Sequence, residues 1–200
     1  MRFSNNLNYN VFVMSKVYIE SKIFKGITEL KFGEYFECKF ENSNFANIDL
    51  SEFEFLECEF INCDLSMAKL QDTSLKDVKF INCKLQGVDF QYCNPFLFSV
   101  GFDDSILKLT SFYKLNLKKT KFKNCNIQEA DFAEANLSQA LFDNCDLSAA
   151  IFENTNLEKA DFSTSFNYSF DAELNNIKKA KFSVPEVVGL LSKYDIKVIL

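Results

Sequence analysis

The stretch "ADFAEANLSQALFDNCDLSAAIFENTNLEKADF", Ala130 to Phe162, decides the reading of the whole chain. Every fifth residue is Phe or Leu: Phe132, Leu137, Phe142, Leu147, Phe152, Leu157 and Phe162. Two places before each stands a small residue: Ala130, Ala135, Ala140, Cys145, Ala150, Thr155 and Ala160. A strand repeats every two residues and an α-helix every 3.6, so neither explains this pattern. A period of five fits one side of a square coil, with four sides to a turn. The large residue and the small one two before it point inward, and the other three point out. Successive coils then pair through their backbones at about 4.8 Å.

Working outward, one register runs through Phe40, Phe45, Leu50, Phe55, Phe60, Leu65, Leu70, Leu75, Phe80, Leu85 and Phe90, with Tyr35 and Leu30 extending it weakly upstream. A second runs from Phe102 through Leu107, Phe112, Leu117, Phe122 and Ile127 to Phe162, and Ile177 and Phe182 rejoin it. The registers differ by two residues. The shift falls within "QYCNPFLFSVG", Gln91 to Gly101, which reads as a small loop. Stacking in steps of twenty sorts the large residues into four columns. One is all Phe: Phe40, Phe60, Phe80, Phe102, Phe122, Phe142, Phe162 and Phe182. Such a ladder is about 34 Å long at coil spacing. Each ring contributes roughly 1.5–3 kcal/mol by burial, before entropy. "SFNYSFDAELNN", Ser165 to Asn176, breaks the pattern.

Composition agrees with a packed core: 48% of the 200 residues are hydrophobic, and 24 Phe stand against no Trp. The net charge of −6 disfavours a generally basic nucleic-acid binder. Direct nucleic-acid binding is therefore not expected. No apolar run approaches the roughly 18–20 residues of a membrane span. The start of the sequence is polar with no leader pattern, so the cytoplasm is the expected location. There is no His, which excludes Ser-His-Asp and Cys-His catalysis and His-ligated metals. No glycine-rich phosphate loop is present. The carboxylates sit at outward positions of a regular scaffold, where nothing forms the cleft that acid–base chemistry needs. No enzyme activity, cofactor or metal is expected.

All seven cysteines fall two residues before a central position: Cys38, Cys58, Cys63, Cys83, Cys93, Cys125 and Cys145. Three pairs lie twenty apart, within reach of a disulfide between stacked coils. The competing reading is a small buried hydrophobe interchangeable with Ala and Thr, and the absence of CxxC pairs favours it.

These readings divide the chain into an N-terminal extension and cap (1–29), a solenoid (30–182) and a C-terminal capping α-helix with tail (183–200). "KVYIESKIF", Lys16 to Phe24, reads as a capping strand, the first 13 residues as loosely attached, and Met14 as an alternative start. Ser183 and Glu186 stand in capping-box spacing. Val184, Val187, Val188 and Leu191 offer an apolar side. The final "IKVIL" either folds onto the last coil or makes a dimer contact.

The outward residues map the surface. The third column's side carries Asp49, Glu52, Asp72, Asp89, Asp131, Glu134 and Glu153 against Lys69 and Lys114. The fourth side carries Lys118, Lys119, Lys159, Lys178 and Lys179 against Glu158. It also bears Asn116, Asn136, Asn156 and Asn176, a column able to form an amide ladder. Each charge reads either as solvated surface or as part of a stripe that imitates the phosphate track of duplex DNA. Pro95, Phe96, Leu97 and Phe98 form a second candidate contact.

The five-residue unit resembles the pentapeptide repeat family, with its A-(D/N)-L-X-X pattern, over about Leu30 to Phe182. The resemblance implies an all-β, right-handed quadrilateral β-helix. In repeat type, size, mild acidity and a C-terminal "GLLSKYDIKVIL", the chain is similar to the quinolone-resistance branch of the Qnr and MfpA type. That likeness implies a homodimer, joined through the C-terminus, that binds DNA gyrase or topoisomerase IV by DNA-like shape and charge. Two departures stand out: only the two irregular segments could project as loops, and the lysine-rich fourth side dilutes the mimicry. A structural scaffold with an unrelated protein partner is the alternative role.

Overall fold

A computed structural model describes residues 16–199. The loosely attached first 13 residues and the Met14 start expected from the sequence lie outside the described residues. The chain winds as a parallel β-solenoid of about eight turns. A nine-stranded sheet forms one side and begins with Ile23–Lys25, Lys39–Glu41, Glu59–Ile61 and Val78–Ile81. It continues through Val100–Asp103, Lys121–Lys123, Leu141–Asp143 and Asp161–Phe162 to Lys181–Phe182. A four-stranded sheet, Val17–Glu20, Gly33–Phe36, Glu54–Leu56 and Ser74–Lys76, forms part of another side. All pairs are parallel and in register by whole coils. Phe60 pairs with Phe80, and Phe122 with Phe142, twenty residues on. We number the sides 1 to 4, side 1 being that of the nine-stranded sheet.

The five-residue side turns nearly all its corners without glycine, Gly87 after Leu85 being an exception. The residue two after most large centres has a positive φ, as at Asn42 (51°), Glu52 (63°), Asp72 (55°) and Lys119 (64°); Tyr92 and Thr164, after Phe90 and Phe162, do not. The left-handed region costs an L-residue roughly 1–2 kcal/mol. Most corners recover a hydrogen bond to the next coil: Asn42 N donates to the Ile61 carbonyl at 2.9 Å, and Asn62 N to that of Ile81 at 2.9 Å.

The rings fill the axis in two opposed columns. On side 1, neighbours such as Phe40–Phe60 and Phe122–Phe142 stack with centroids 4.6 and 4.8 Å apart. Across the axis, Phe112 and Phe132 of side 3 stack at 5.1 Å. The two columns meet edge to face, as Phe122–Phe132 at 5.9 Å and 84°. Sides 1 and 3 are therefore opposite each other. The ladder extends to a ninth ring, Phe24, stacked on Phe40 at 5.2 Å. Phe24 pairs with Phe40 across sixteen residues rather than twenty, which hides it from a count in fives. Gly33 marks how tightly this short first coil is laid on: a Cβ there would overlap the Val17 carbonyl.

The register shift lies where expected. Val78 pairs with Val100 and Asp89 with Ser111, so this coil has two extra residues. They enter at 94–99, where the Asn94 side chain accepts from Phe96 N at 2.9 Å.

The C-terminal helix departs from expectation. Glu186–Tyr194 is a 3-10 helix, not an α-helix. Three residues per turn align one row, and Leu190, 8% exposed, is the residue it buries. Val184, Val187, Val188 and Leu191 stay exposed. The expected capping box does not form. Pro185 is the N-cap, with no side-chain cap bond, and Glu186 instead accepts from Asn167 N at 2.8 Å. Beneath the helix the irregular segment turns two rings inward. Tyr168 lies 5.6 Å from both Phe162 and Phe182, and Phe170 lies 5.0 Å from Phe152. The helix crosses Tyr168 at Gly189, where a Cβ would overlap the Tyr168 carbonyl oxygen.

Candidate interaction face

An Asp or Asn one place before a large centre has a local task first. Asp49 Oδ1 accepts from Ser51 N at 3.0 Å, and Asp131 Oδ1 accepts from Ala133 N at 2.9 Å. Asp64, Asp146 and Asp161, and Asn116, Asn136 and Asn156, make the same bond two residues ahead. This is the Asx turn, which starts the bend into the left-handed corner. Hydrogen bonds from Ser51, and then the charge of Lys69, hold Asp49 below the usual carboxylate range.

Side 3 gathers the seven acidic residues in two groups. Asp49, Glu52, Asp72 and Asp89 lie toward the N-terminus and are exposed, as are Glu134 and Glu153 of the second group; Asp131 is half-buried. The bridges Asp49–Lys69, Asp89–Ser111, Ser111–Asp131 and Asp131–Ile151 set them along the rod. Between the groups sit Ser111, Tyr113 and Lys114. Lys114 pairs with Glu134 at 3.4 Å, and the Tyr113 hydroxyl donates to Glu134 at 2.8 Å. The hydroxyl, and secondarily Lys114, lower the Glu134 pKa. The other six form no ion pair among the described residues.

The fourth-side asparagines form the amide ladder. Asn136 donates to Asn116 at 3.1 Å, Asn156 to Asn136 at 3.1 Å and Asn176 to Asn156 at 3.0 Å. A second ladder, Asn82 to Asn62 to Asn42, runs along another corner.

The extra residues project. Phe96 and Leu97 are 67% and 65% exposed, Pro95 is exposed, and Lys76 lies 5.7 Å over the Phe96 ring. Phe98 turns back and packs edge-on against Phe90 at 6.4 Å. The loop thus offers Pro95, Phe96 and Leu97 outward, while Phe98 belongs to the core side.

The seven cysteines are free and buried. Six of the thiols donate to carbonyls, among them Cys63 to Phe40 at 3.2 Å and Cys83 to Phe60 at 3.3 Å. Burial pushes the Cys58 thiol up to about 12 and raises that of Cys93. They serve as small core residues. Among the described residues no group of three His, Cys, Asp or Glu side chains could hold a metal ion, and no helix is long and apolar enough to cross a membrane.

The chain resembles solved structures of QnrB1, described as a plasmid-mediated fluoroquinolone resistance protein. A trypsin-treated form is 22% identical, with a TM-score of 0.48, covering 92% of this chain and 100% of that one. The full-length form is 21% identical, with a TM-score of 0.39, over 90% and 100%. HetL, a pentapeptide repeat protein involved in heterocyst differentiation regulation from the cyanobacterium Nostoc sp., is 16% identical, with a TM-score of 0.35, over 84% and 85%. No curated protein sequence matches the chain. The family model described as a pentapeptide repeat region matches residues 34–95 and 96–168, the same residues whose five-residue sides, Asx turns and left-handed corners build the coils. The chain belongs to the pentapeptide repeat family.

Proposed function

We propose that the protein acts without catalysis, through protein–protein contact along side 3. Its carboxylates there stand in for the phosphates of duplex DNA before a type II topoisomerase, gyrase or topoisomerase IV. The observation that carries this reading is the placement of seven carboxylates along one side of a hydrogen-bonded stack of coils. From Asp49 to the Ile151 row is five coil steps, about 24 Å. Duplex DNA presents about 14 charges over that length. Seven carboxylates less Lys69 and Lys114 leave a net of five charges, about a third of the charge density of the original, enough to steer a basic groove. Free, buried thiols accord with a cytoplasmic place of action. Ile196, Val198 and Ile199, 58%, 45% and 81% exposed, supply the proposed homodimer contact.

The test is supercoiling by purified gyrase, titrated with this protein with and without a fluoroquinolone. Inhibition or drug protection at micromolar protein is expected. It should be lost when Glu52, Asp72, Asp89 and Glu153 become Lys, positions chosen because none makes an Asx turn bond. No effect of the wild-type protein would refute the topoisomerase reading. The alternative, a scaffold that docks another protein, is favoured by the exposure of Phe96 and Leu97. It predicts that Phe96→Ser with Leu97→Ser abolishes partner capture while the acidic variant does not.

A further inference from the structure

Side 1 has a gap in its outward surface. Gly101 pairs with Lys79 on one flank. Lys121 holds the matching place on the other flank, next to the Phe102–Phe122 pair. Without a side chain at Gly101, a hollow of about 300 Å³ opens, lined by Lys79, Lys118, Lys119 and Lys121 and by one acid, Asp77, whose carboxylate accepts from the Ser99 hydroxyl at 2.8 Å. Lys118, Lys119 and Lys121 stand at the edge where side 4 turns into side 1. Three coils along the same edge stand Lys178 and Lys179, in line with them through the Asn116–Asn136–Asn156–Asn176 bridges. Lys79 is paired with Glu59 at 3.4 Å, whereas Lys118, Lys119, Lys121, Lys178 and Lys179 form no ion pair among the described residues. Between them, Lys159 is paired with Glu158 at 3.2 Å, and beyond them Lys181 with Asp161 at 2.8 Å.

We propose that this edge binds the phosphodiester backbone of nucleic acid, with the hollow over Gly101 seating one phosphate. Three coil steps make about 14 Å, which spans about four phosphates of one DNA strand. Lysine is a compact point charge that suits phosphate without demanding one geometry. The overall charge of −6 does not oppose this, because charge is not spread evenly. The acidic stripe lies on side 3, across two interleaved ring columns, and beyond the Debye length of about 8 Å at physiological salt its field is largely screened. The proposal stands apart from the topoisomerase reading, since it concerns the protein and nucleic acid alone.

The experiment is fluorescence anisotropy of a labelled 20-base-pair DNA duplex titrated with the full chain. Binding is expected at 50 mM salt, with a slope of log K against log salt of about −3.6 for four phosphates, or about 150-fold weaker binding at 200 mM. The triple variant Lys118→Glu, Lys119→Glu, Lys121→Glu should bind at least tenfold more weakly, with a slope near −1. Glu57 occupies the left-handed corner equivalent to Lys119, so the fold tolerates an acid there. Should the triple variant misfold, Gly101→Glu gives a second test. A Cβ at Gly101 meets nothing within 4 Å, so the change is sterically free and places a carboxylate in the hollow. No binding at 100 µM protein in 50 mM salt would overturn the proposal. So would unchanged affinity in the folded variants, or displacement of the DNA by poly-glutamate at equal charge concentration, which would point to an acidic protein segment.

Discussion

The repeat is broken twice, at 94–99 and at 165–176, and the two breaks go opposite ways. The first adds two residues to its coil and throws Phe96 and Leu97 outward. The second adds none: Asp146 still bridges Phe166, and Asn156 bridges Asn176, twenty residues on. Its two missing centres, where Asn167 and Ala172 stand, are replaced by Tyr168 and Phe170 turned into the core. What decides whether a break projects is coil length, not loss of pattern. Extra residues have no partner row on the neighbouring coil and must leave the stack. A break that keeps the length keeps its end rows paired, Phe166 N to the Cys145 carbonyl and Asn176 N to that of Thr155, and turns its side chains inward between them.

The largest expected difference between the two breaks is at their aromatic residues. Tyr168→Ala should cost about 3–5 kcal/mol, seen as a lower urea midpoint. Tyr168→Phe should remain near the wild type, because the buried hydroxyl has no hydrogen-bond partner among the described residues. A Tyr168→Ala cost below 1 kcal/mol would mean that the second break is a loop like the first. Next comes Gly189→Ala. The added methyl pushes the 3-10 helix off Tyr168 and exposes Leu190, a loss of about 2 kcal/mol. Proteolysis after Lys193 should become faster, and an unchanged rate would show that the helix has another seat.

Asp146 ties the second break to the coil before it, so its effect comes third. Asn167, Gln128 and Ser148 donate to its carboxylate at 3.0, 2.6 and 2.6 Å. Burial alone would raise its pKa, but these bonds outweigh burial and hold it at about 2. A folded pKa below the unfolded value gives stability that is present above about pH 4 and is lost as pH falls toward 2. Asp146→Asn should cost about 1 kcal/mol at pH 7, discounted for its partial exposure, and flatten the acid limb of a melting-temperature profile. An acid limb as steep as before would assign that dependence to other carboxylates. The smallest effect belongs to the first break. Phe96→Ala with Leu97→Ala should shift stability by less than about 0.5 kcal/mol. A larger loss, measured in the same urea titration, would show that the loop is packed and not projecting.

How much was legible in the sequence follows from spacing. The Phe ladder, the two-residue shift and the Asn ladder all recur at multiples of five or twenty, and each could be read directly. Phe24 could not, because its coil is sixteen residues long, although its Phe–charged step, Phe24–Lys25, matches Phe40–Glu41. Tyr168 and Phe170 escaped because they fall off the register they complete. The role of Asp49 and Asp131 was half visible. Their charge was plain, but the turn bond appears only when one asks why Asp and Asn alternate at that place. The hollow at Gly101 came from an absent side chain, which a search for functional groups passes over.

The closing parts, Tyr168, Phe170 and the helix ending at Tyr194, all follow in the chain the coils they seal. During synthesis at about 5–20 residues per second, each twenty-residue coil takes about 1–4 seconds to emerge. Through that time the nascent stack ends in an open strand edge, the kind of surface that recruits another chain. Only when residues 168 to 194 clear the ribosome does that edge gain its lid. The interval of exposure is therefore set by translation speed over the last coil, and slow codons there would lengthen it.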